Sequence, residues 1–192
     1  MSHPPLRLFC AVELPQPVRE DLHARLRPWR AAYPEAKWVA VDNLHITLKF
    51  IGDVAEDDAE RIDDALAAAA AQQGPFGIHL VGAGVFGPPR AVRVIWLGIG
   101  AGQGPLAALA ADLERLLLPL GVAADGRPYR AHLTIARCRG GALPDALHKG
   151  LRDAARADWG RLEVSRIVLM QSHLRPEGPA YEPLAWHRLG PG

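Results

Sequence analysis

The triplet His-x-Thr stands twice in this chain, as His45-Ile46-Thr47 and His132-Leu133-Thr134, each time inside a short run where apolar and polar residues alternate. Side chains along a strand point to opposite faces with a period of two. His45 and Thr47 therefore share one face, and Leu44, Ile46 and Leu48 the other. In the second run Arg130, His132 and Thr134 oppose Ala131, Leu133 and Ile135. Each run reads as a strand with one face to pack and one face that carries imidazole and hydroxyl. The two copies lie close to half the chain apart, so the pattern predicts an internal duplication whose two lobes meet at a cleft.

The elements around the motifs fit that frame. Residues 6 to 13 read as a strand, and Pro15 to Ala32 as an amphipathic helix in which Val18, Leu22, Leu26 and Trp29 recur at helical spacing. A short strand over Trp38 to Val41 precedes the motif strand from Leu44 to Phe50, which Gly52 should stop. Residues 56 to 72 begin acidic and continue in alanine, which suits a helix and its dipole. Residues 76 to 81 and 91 to 98 read as strands of a hairpin broken at Gly87-Pro88-Pro89. Then come a leucine-rich helix over 106 to 120, the second motif strand over 131 to 136, and a helix from Leu143 to Trp159. Strands over 162 to 170 and 181 to 187 close the chain. Hairpins mixed with crossovers predict an α+β fold rather than a doubly wound sheet. Neither GxGxxG nor GxxxxGK[ST] occurs.

At 192 residues and 49% hydrophobic content, a substantial core needs no staples. The net charge of +1 and a pI near 7.9 argue against a broad basic surface, so any nucleic-acid contact should be local, at an end or a loop. Cys10 and Cys138 form no CxxC and read as buried free thiols of a reducing compartment. The apolar stretch after Arg7 ends at Glu13, too short for a signal peptide, and no stretch approaches the ~20 apolar residues of a membrane span. A soluble, cytoplasmic protein is expected.

Histidine, with an unperturbed pKa of about 6.5, can serve as base in one copy and acid in the other at neutral pH. If both imidazoles flank one tetrahedral phosphate, one can deprotonate an attacking water while the other protonates the departing oxygen. The hydroxyls of Thr47 and Thr134 can then donate to the non-bridging oxygens as charge develops. Catalytic zinc usually has three protein ligands, whereas each strand here supplies one histidine beside a threonine, and HExxH and HxH are absent. No metal and no cofactor are expected.

At these residues the chain resembles the two-histidine (2H) phosphoesterase superfamily, and within it the RNA 2',3'-cyclic phosphodiesterase (2'-5' RNA ligase) family. The resemblance rests on RLFCAVELP at the start, NLHITLKFIGDV over 43 to 54, VRVIWLGIG over 92 to 100, YRAHLTIAR over 129 to 137, and Val168 to Ser172 with Tyr181-Glu182. It implies one bilobal α+β domain over residues 1 to 192, two pseudo-twofold-related sheet and helix lobes, and both histidines in a central cleft. It further implies hydrolysis of an RNA 2',3'-cyclic phosphate to a 2'-phosphomonoester, with reversible 2'-5' joining. By that analogy His45 would protonate the leaving 3'-oxygen and His132 would activate water, an assignment that the residues themselves leave open. One departure is Ala131, where the family often has proline; it removes no chemical group. The expected partners are RNA ends, tRNA fragments among them, or small cyclic nucleotides. No membrane association is expected, and the chain should be a monomer.

Further candidates follow from position. Arg130 shares the face of His132 and could hold a phosphate, with a solvated strand-end arginine as the alternative. Asn43, at the corresponding place before His45, could orient a ribose or cap a turn. Tyr129, Phe50 and Phe86 could stack a terminal base, although core packing suits Phe50 and Phe86 better. Arg90 and Arg93 could touch an RNA backbone. His79 lacks a threonine two residues on and reads as structural, while His3, His23, His148, His173 and His187 carry no pattern. Two other functions keep the same residues: a phosphodiesterase on small cyclic nucleotides or 2'-5' oligonucleotides, and a non-catalytic RNA- or nucleotide-binding module.

Overall fold

The computed structural model describes residues 4–175 and 178–190; His3 lies outside them. Two antiparallel sheets carry the fold. The first has four strands in the order β3-β1-β8-β9: β1 is Leu6–Glu13, β3 His45–Val54, β8 Arg166–His173 and β9 Ala180–Arg188. The second has five in the order β2-β6-β5-β4-β7: β2 is Lys37–Trp38, β4 Phe76–Phe86, β5 Val94–Ile99, β6 His132–Arg137 and β7 Asp158–Val164. The helices are α1 (Gln16–Arg25), α2 (Arg27–Ala32), α3 (Ala59–Ala70), α4 (Gln103–Leu117) and α5 (Asp145–Asp153).

The duplication is visible in the connectivity. In one half β1, a helical excursion and β3 form an antiparallel pair; in the other β5, α4 and β6 do the same. The halves interlock, because β4 leaves the first to pair with β5 and β8 leaves the second to pair with β1. The apolar faces of both sheets and the helices share one core, built among others from Cys10, Ile46, Leu66, Leu97, Leu113, Leu133 and Leu169. A smaller cluster, Phe9, Ala11, Val168 and Met170 with Tyr181, lies on the other face of the first sheet.

Both motif strands are bulged just past the motif. The β1 to β3 register steps from Ala11–Thr47 to Cys10–Lys49, leaving Leu48 as the extra residue. The β5 to β6 register steps from Trp96–Thr134 to Ile95–Ala136, leaving Ile135 extra. A bulge reverses the parity of everything after it. Beyond Leu48 the buried residue is therefore Lys49, while Phe50 returns to the face of Thr47 and is 46% exposed. The expectation that Phe50 packs in the core is corrected for this reason. Gly52 does not stop the strand either; a second irregularity lets β3 run on to Val54 with Gly52 at φ +95°, a conformation glycine adopts without strain.

Other boundaries differ from the expected ones as well: the short strand is Lys37–Trp38, with a helical turn over Val41–Asn43, and β4 runs on to Phe86. The helix over 15 to 32 breaks at Leu26, because Pro28 has no N–H for the carbonyl of Ala24 and its ring crowds that carbonyl. The helix expected to reach Trp159 ends at Asp153, and a strand bulged at Gly160 (φ +109°) begins at Asp158. What reads as one strand over 162 to 170 is two, β7 and β8, which enter different sheets on either side of Ser165.

Candidate active site

The two histidines are held alike. The Nδ1 of His45 lies 2.7 Å from the carbonyl oxygen of Asn43, and the Nδ1 of His132 lies 2.7 Å from that of Arg130. A carbonyl can only accept, so each Nδ1 carries a proton and Nε2 is the nitrogen of each ring left for proton transfer. The local cause is the chain path. A single turn over Val41–Asn43 leads into β3, and an irregular stretch leads into β6, so a carbonyl two residues before each histidine curls back onto its ring.

The neighbours of the two rings differ. His45 is packed by Phe9 at 5.0 Å between ring centroids and by Tyr181, edge-on, at 5.1 Å. His132 meets Phe86 edge-on at 4.9 Å, and Phe86 leans on Trp96 at 5.4 Å. Burial pushes the pKa of His45 below the usual imidazole range; the Asn43 hydrogen bond opposes that, and the charge of Arg137, with that of His132 whenever it holds a second proton, reinforces it. The two histidines are thus close enough to sense each other's charge across the cleft.

Thr47 and Thr134, both partly buried, share faces with their histidines as the alternation requires. Tyr129 ties the motif strands together, its hydroxyl donating to the backbone carbonyl of Thr47 at 3.1 Å; burial raises its own pKa. A cavity of about 620 Å³ opens on the His132 side, lined by Phe86, Trp96, Gly98, Gln103, Tyr129 and His132. At Gly98 a Cβ would stand 2.6 Å from the carbonyl oxygen of Val81, so any side chain there would force the sheet apart. A second hollow of about 440 Å³ lies beside the His45 strand, lined by Lys37, Trp38, Asn43, Arg137 and Tyr181 among others.

Asn43 donates through Nδ2 to the carbonyl of Pro179 at 2.9 Å, fastening the segment before β9 beside His45. Arg130 is exposed, with its guanidinium 6.0 Å from the Phe86 ring. Phe86 is half-buried against His132 rather than in the core. Arg90 and Arg93 are exposed on the β4–β5 connection. His79, His173 and His187 pair with Asp158, Glu182 and Asp63, and His23 lies against Arg30. Cys10 is buried and Cys138 half-buried, both free, and burial raises both thiol pKa values. Among the described residues, no three His, Cys, Asp or Glu side chains gather as metal ligands do, and no helix is long and apolar enough to cross a membrane.

Sequence reasoning missed Arg137, Phe9 and Tyr181. Strict alternation puts Arg137 on the core face of β6; the bulge at Ile135 returns it to the face of Thr134, where its charge acts on His45. The available signal was the arginine itself, an unpaired charge where the pattern demanded an apolar residue. Phe9 and Tyr181 reach His45 from β1 and β9, contacts of long sequence separation that no local pattern records.

The family model of the 2'-5' RNA ligase superfamily matches residues 15–175. The chain belongs to this superfamily. Among the members it resembles, the RNA 2',3'-cyclic phosphodiesterase of Aeropyrum pernix is 39% identical over 148 residues, covering 77% of this chain and 83% of the relative. That of Methanothermobacter thermautotrophicus is 33% identical over 184 residues, covering 96% and 99%. Of solved structures, the TT0787 protein of Thermus thermophilus superposes with a TM-score of 0.80 at 26% identity, covering 96% of this chain and 98% of that one. Escherichia coli LigT complexed with 3'-AMP gives 0.71 at 30% identity over 96% and 98%. The α+β fold of two antiparallel sheets is that of these 2'-5' RNA ligase superfamily structures.

Proposed function

We propose that this protein opens RNA 2',3'-cyclic phosphate ends to 2'-phosphomonoesters, with His45 and His132 as a general acid and base pair. The observation that carries the reading is the matched pair of Nδ1–H to carbonyl bonds, which leaves two Nε2 atoms, one from each sheet, for one phosphate. The substrate class comes from the relatives, named RNA 2',3'-cyclic phosphodiesterases. Water attacks phosphorus as Nε2 of His132 takes its proton; the bond to the 3'-oxygen breaks, and His45 protonates that oxygen. Thr47 and Thr134 donate to the non-bridging oxygens, and Arg137 offsets the developing charge. His45 is short of a proton in the free protein because burial and the cation of Arg137 disfavour its charged form; an arriving phosphate supplies the missing counter-charge. Run in the same direction with a 5'-hydroxyl in place of water, the same geometry breaks the bond to the 3'-oxygen and joins RNA ends through a 2'-5' linkage; run backwards, it cleaves that linkage and restores the cyclic phosphate. No step needs a metal.

The test is an oligonucleotide ending in a 2',3'-cyclic phosphate, incubated at neutral pH with chelator. The expected product is the 2'-phosphate; an intact end or a 3'-phosphate refutes the assignment. His45→Ala and His132→Ala should each cost orders of magnitude, and the double variant little more, because the groups act as a unit.

A further inference from the structure

The cleft face of the first sheet continues well beyond His45. Cross-strand register places Thr47 beside Ala11, Ala11 beside Val168, and Val168 beside Trp186, so Trp186 shares the face of Thr47 three strands away. At about 4.8 Å per strand that is roughly 14 Å, outside the space of the nucleotide whose phosphate lies between the histidines. Trp186 is 47% exposed, an unusual placement for the largest apolar side chain, and Leu184 beside it is exposed too.

The ring is held in place. Its Nε1 donates to Oε2 of Glu13 at 2.8 Å, and Arg166 donates to the same oxygen at 3.1 Å while its guanidinium stands 5.6 Å from the indole centroid. Glu13 is itself the ladder partner of His45, so the clamp on Trp186 starts one strand from the candidate acid. The carboxylate is engaged by two donors, and the exposed Arg188 pairs with Arg166 in the ladder, which leaves this end of the face suited to a polyanion. A fixed aromatic face with arginines beside it, on an open four-stranded sheet, is the arrangement that binds single-stranded RNA by stacking and phosphate contact. A base stacked there would lose little side-chain entropy, because the ring is already immobilised.

We propose that Trp186, with Arg166 and Arg188, forms a stacking platform for a base of the single-stranded RNA lying 5' of the terminal nucleotide. The proposal rests on the cyclic phosphodiesterase reading for the position of the RNA end. It makes the enzyme selective for oligonucleotides over mononucleotides, and it places the ribose and its 3'-oxygen on the His45 side.

The test compares Trp186→Ala, Trp186→Phe and the unaltered protein on a cyclic mononucleotide and on oligonucleotides of increasing length with the same cyclic end. Trp186→Ala should lower kcat/KM on the longer RNAs roughly tenfold, mainly through KM, and leave the mononucleotide rate, whose substrate stops short of the ring, as it was. Trp186→Phe should recover most of the loss, since it keeps a stacking face. Equal losses on all lengths, or none on any, overturn the platform. Binding of an oligonucleotide 2'-phosphate by fluorescence anisotropy separates the two readings: if no cyclic end is opened yet Trp186→Ala weakens this binding, the platform stands and the reaction falls. A self-associating protein that Trp186→Ala renders monomeric, with RNA affinity unchanged, would assign the face to a second copy and overturn the proposal.

Discussion

Phe50 and Arg137 occupy corresponding positions of the two motif strands, each three residues past the motif threonine and each returned to the cleft face by a bulge. The backbones are duplicates while the side chains are not. One strand carries an aromatic ring there, half-exposed under the guanidinium of Arg7; the other carries a cation. A symmetric pair of histidines thus sits in an asymmetric surround, which is what directional chemistry on one phosphate requires.

Arg137 should therefore matter more than its exposure suggests. Arg137→Ala is expected to lower kcat/KM by about 10- to 100-fold, the worth of a charge-assisted hydrogen bond to a developing phosphate charge. Arg137→Lys should restore part of it, because a point charge replaces the planar fork. Removing this cation also removes one cause of the lowered His45 pKa, so the imidazole titration followed by NMR should move up in Arg137→Ala. An unmoved His45 titration would separate Arg137 from the site.

The same shift gives a stability prediction with a definite sign. His45 binds a proton less readily in the folded chain than in the unfolded one, where its pKa is about 6.5. The stability conferred by neutral His45 is therefore complete above that value and is lost as pH falls from it through the lower folded pKa. The ring is packed by Phe9 and Tyr181, bonded to the Asn43 carbonyl and faced by Arg137 and His132, with Glu13 on the neighbouring strand; none of these reverses the sign. Denaturant unfolding at pH 7 and pH 5 should show His45→Gln losing less stability on acidification than the unaltered protein. Phosphate binding near pH 6 should take up protons, measurable by calorimetry in buffers of different ionisation enthalpy.

How far the sequence is legible follows from where period-two alternation survives. It holds through His45-Ile46-Thr47 and His132-Leu133-Thr134, and there both the faces and the site can be read directly. It fails one residue later in each strand, where a bulge shifts the register; Lys49 changes sides unannounced, and Arg137 announces the change only as a charge where an apolar residue was due. Ser165 likewise gives little sign that the chain there passes from one sheet to the other, because only Ser165 and Arg166 separate Val164 of β7 from Ile167 of β8, too short a break to read as a turn.

The threonines offer a test of the duplication as chemistry rather than as topology. Thr47 and Thr134 lie on equivalent faces two residues after equivalent histidines, so Thr47→Ala and Thr134→Ala should each reduce kcat by about 10²-fold, the usual cost of one preorganised donor to a transition-state oxygen. KM should change little. Thr→Ser, which keeps the hydroxyl, should retain most activity at both positions. A large loss at one threonine and none at the other would mean that only one sheet holds the phosphate.

Lys49 shows what the bulge in β3 costs and how the cost is met. Its side chain is 1% exposed, and its ammonium is paired with Glu114 on α4 and with Asp125 at 3.1 Å, while donating at 3.0 Å to the carbonyl of Ala123. Lys49 thereby fastens the motif strand to α4 and to the segment leading toward β6. Removing a partner strands a buried charge, whereas removing the charge itself leaves only carboxylates that water can reach, Glu114 being 31% exposed. Glu114→Ala should accordingly destabilise by about 1–3 kcal/mol, less than a fully buried pair because Asp125 remains, and Lys49→Met, of similar length and without charge, should cost less. Chemical denaturation of the two variants checks the order. Reversal of that order would mean that the ammonium, once orphaned, reaches water, and that the strand is looser at Lys49 than its packing indicates.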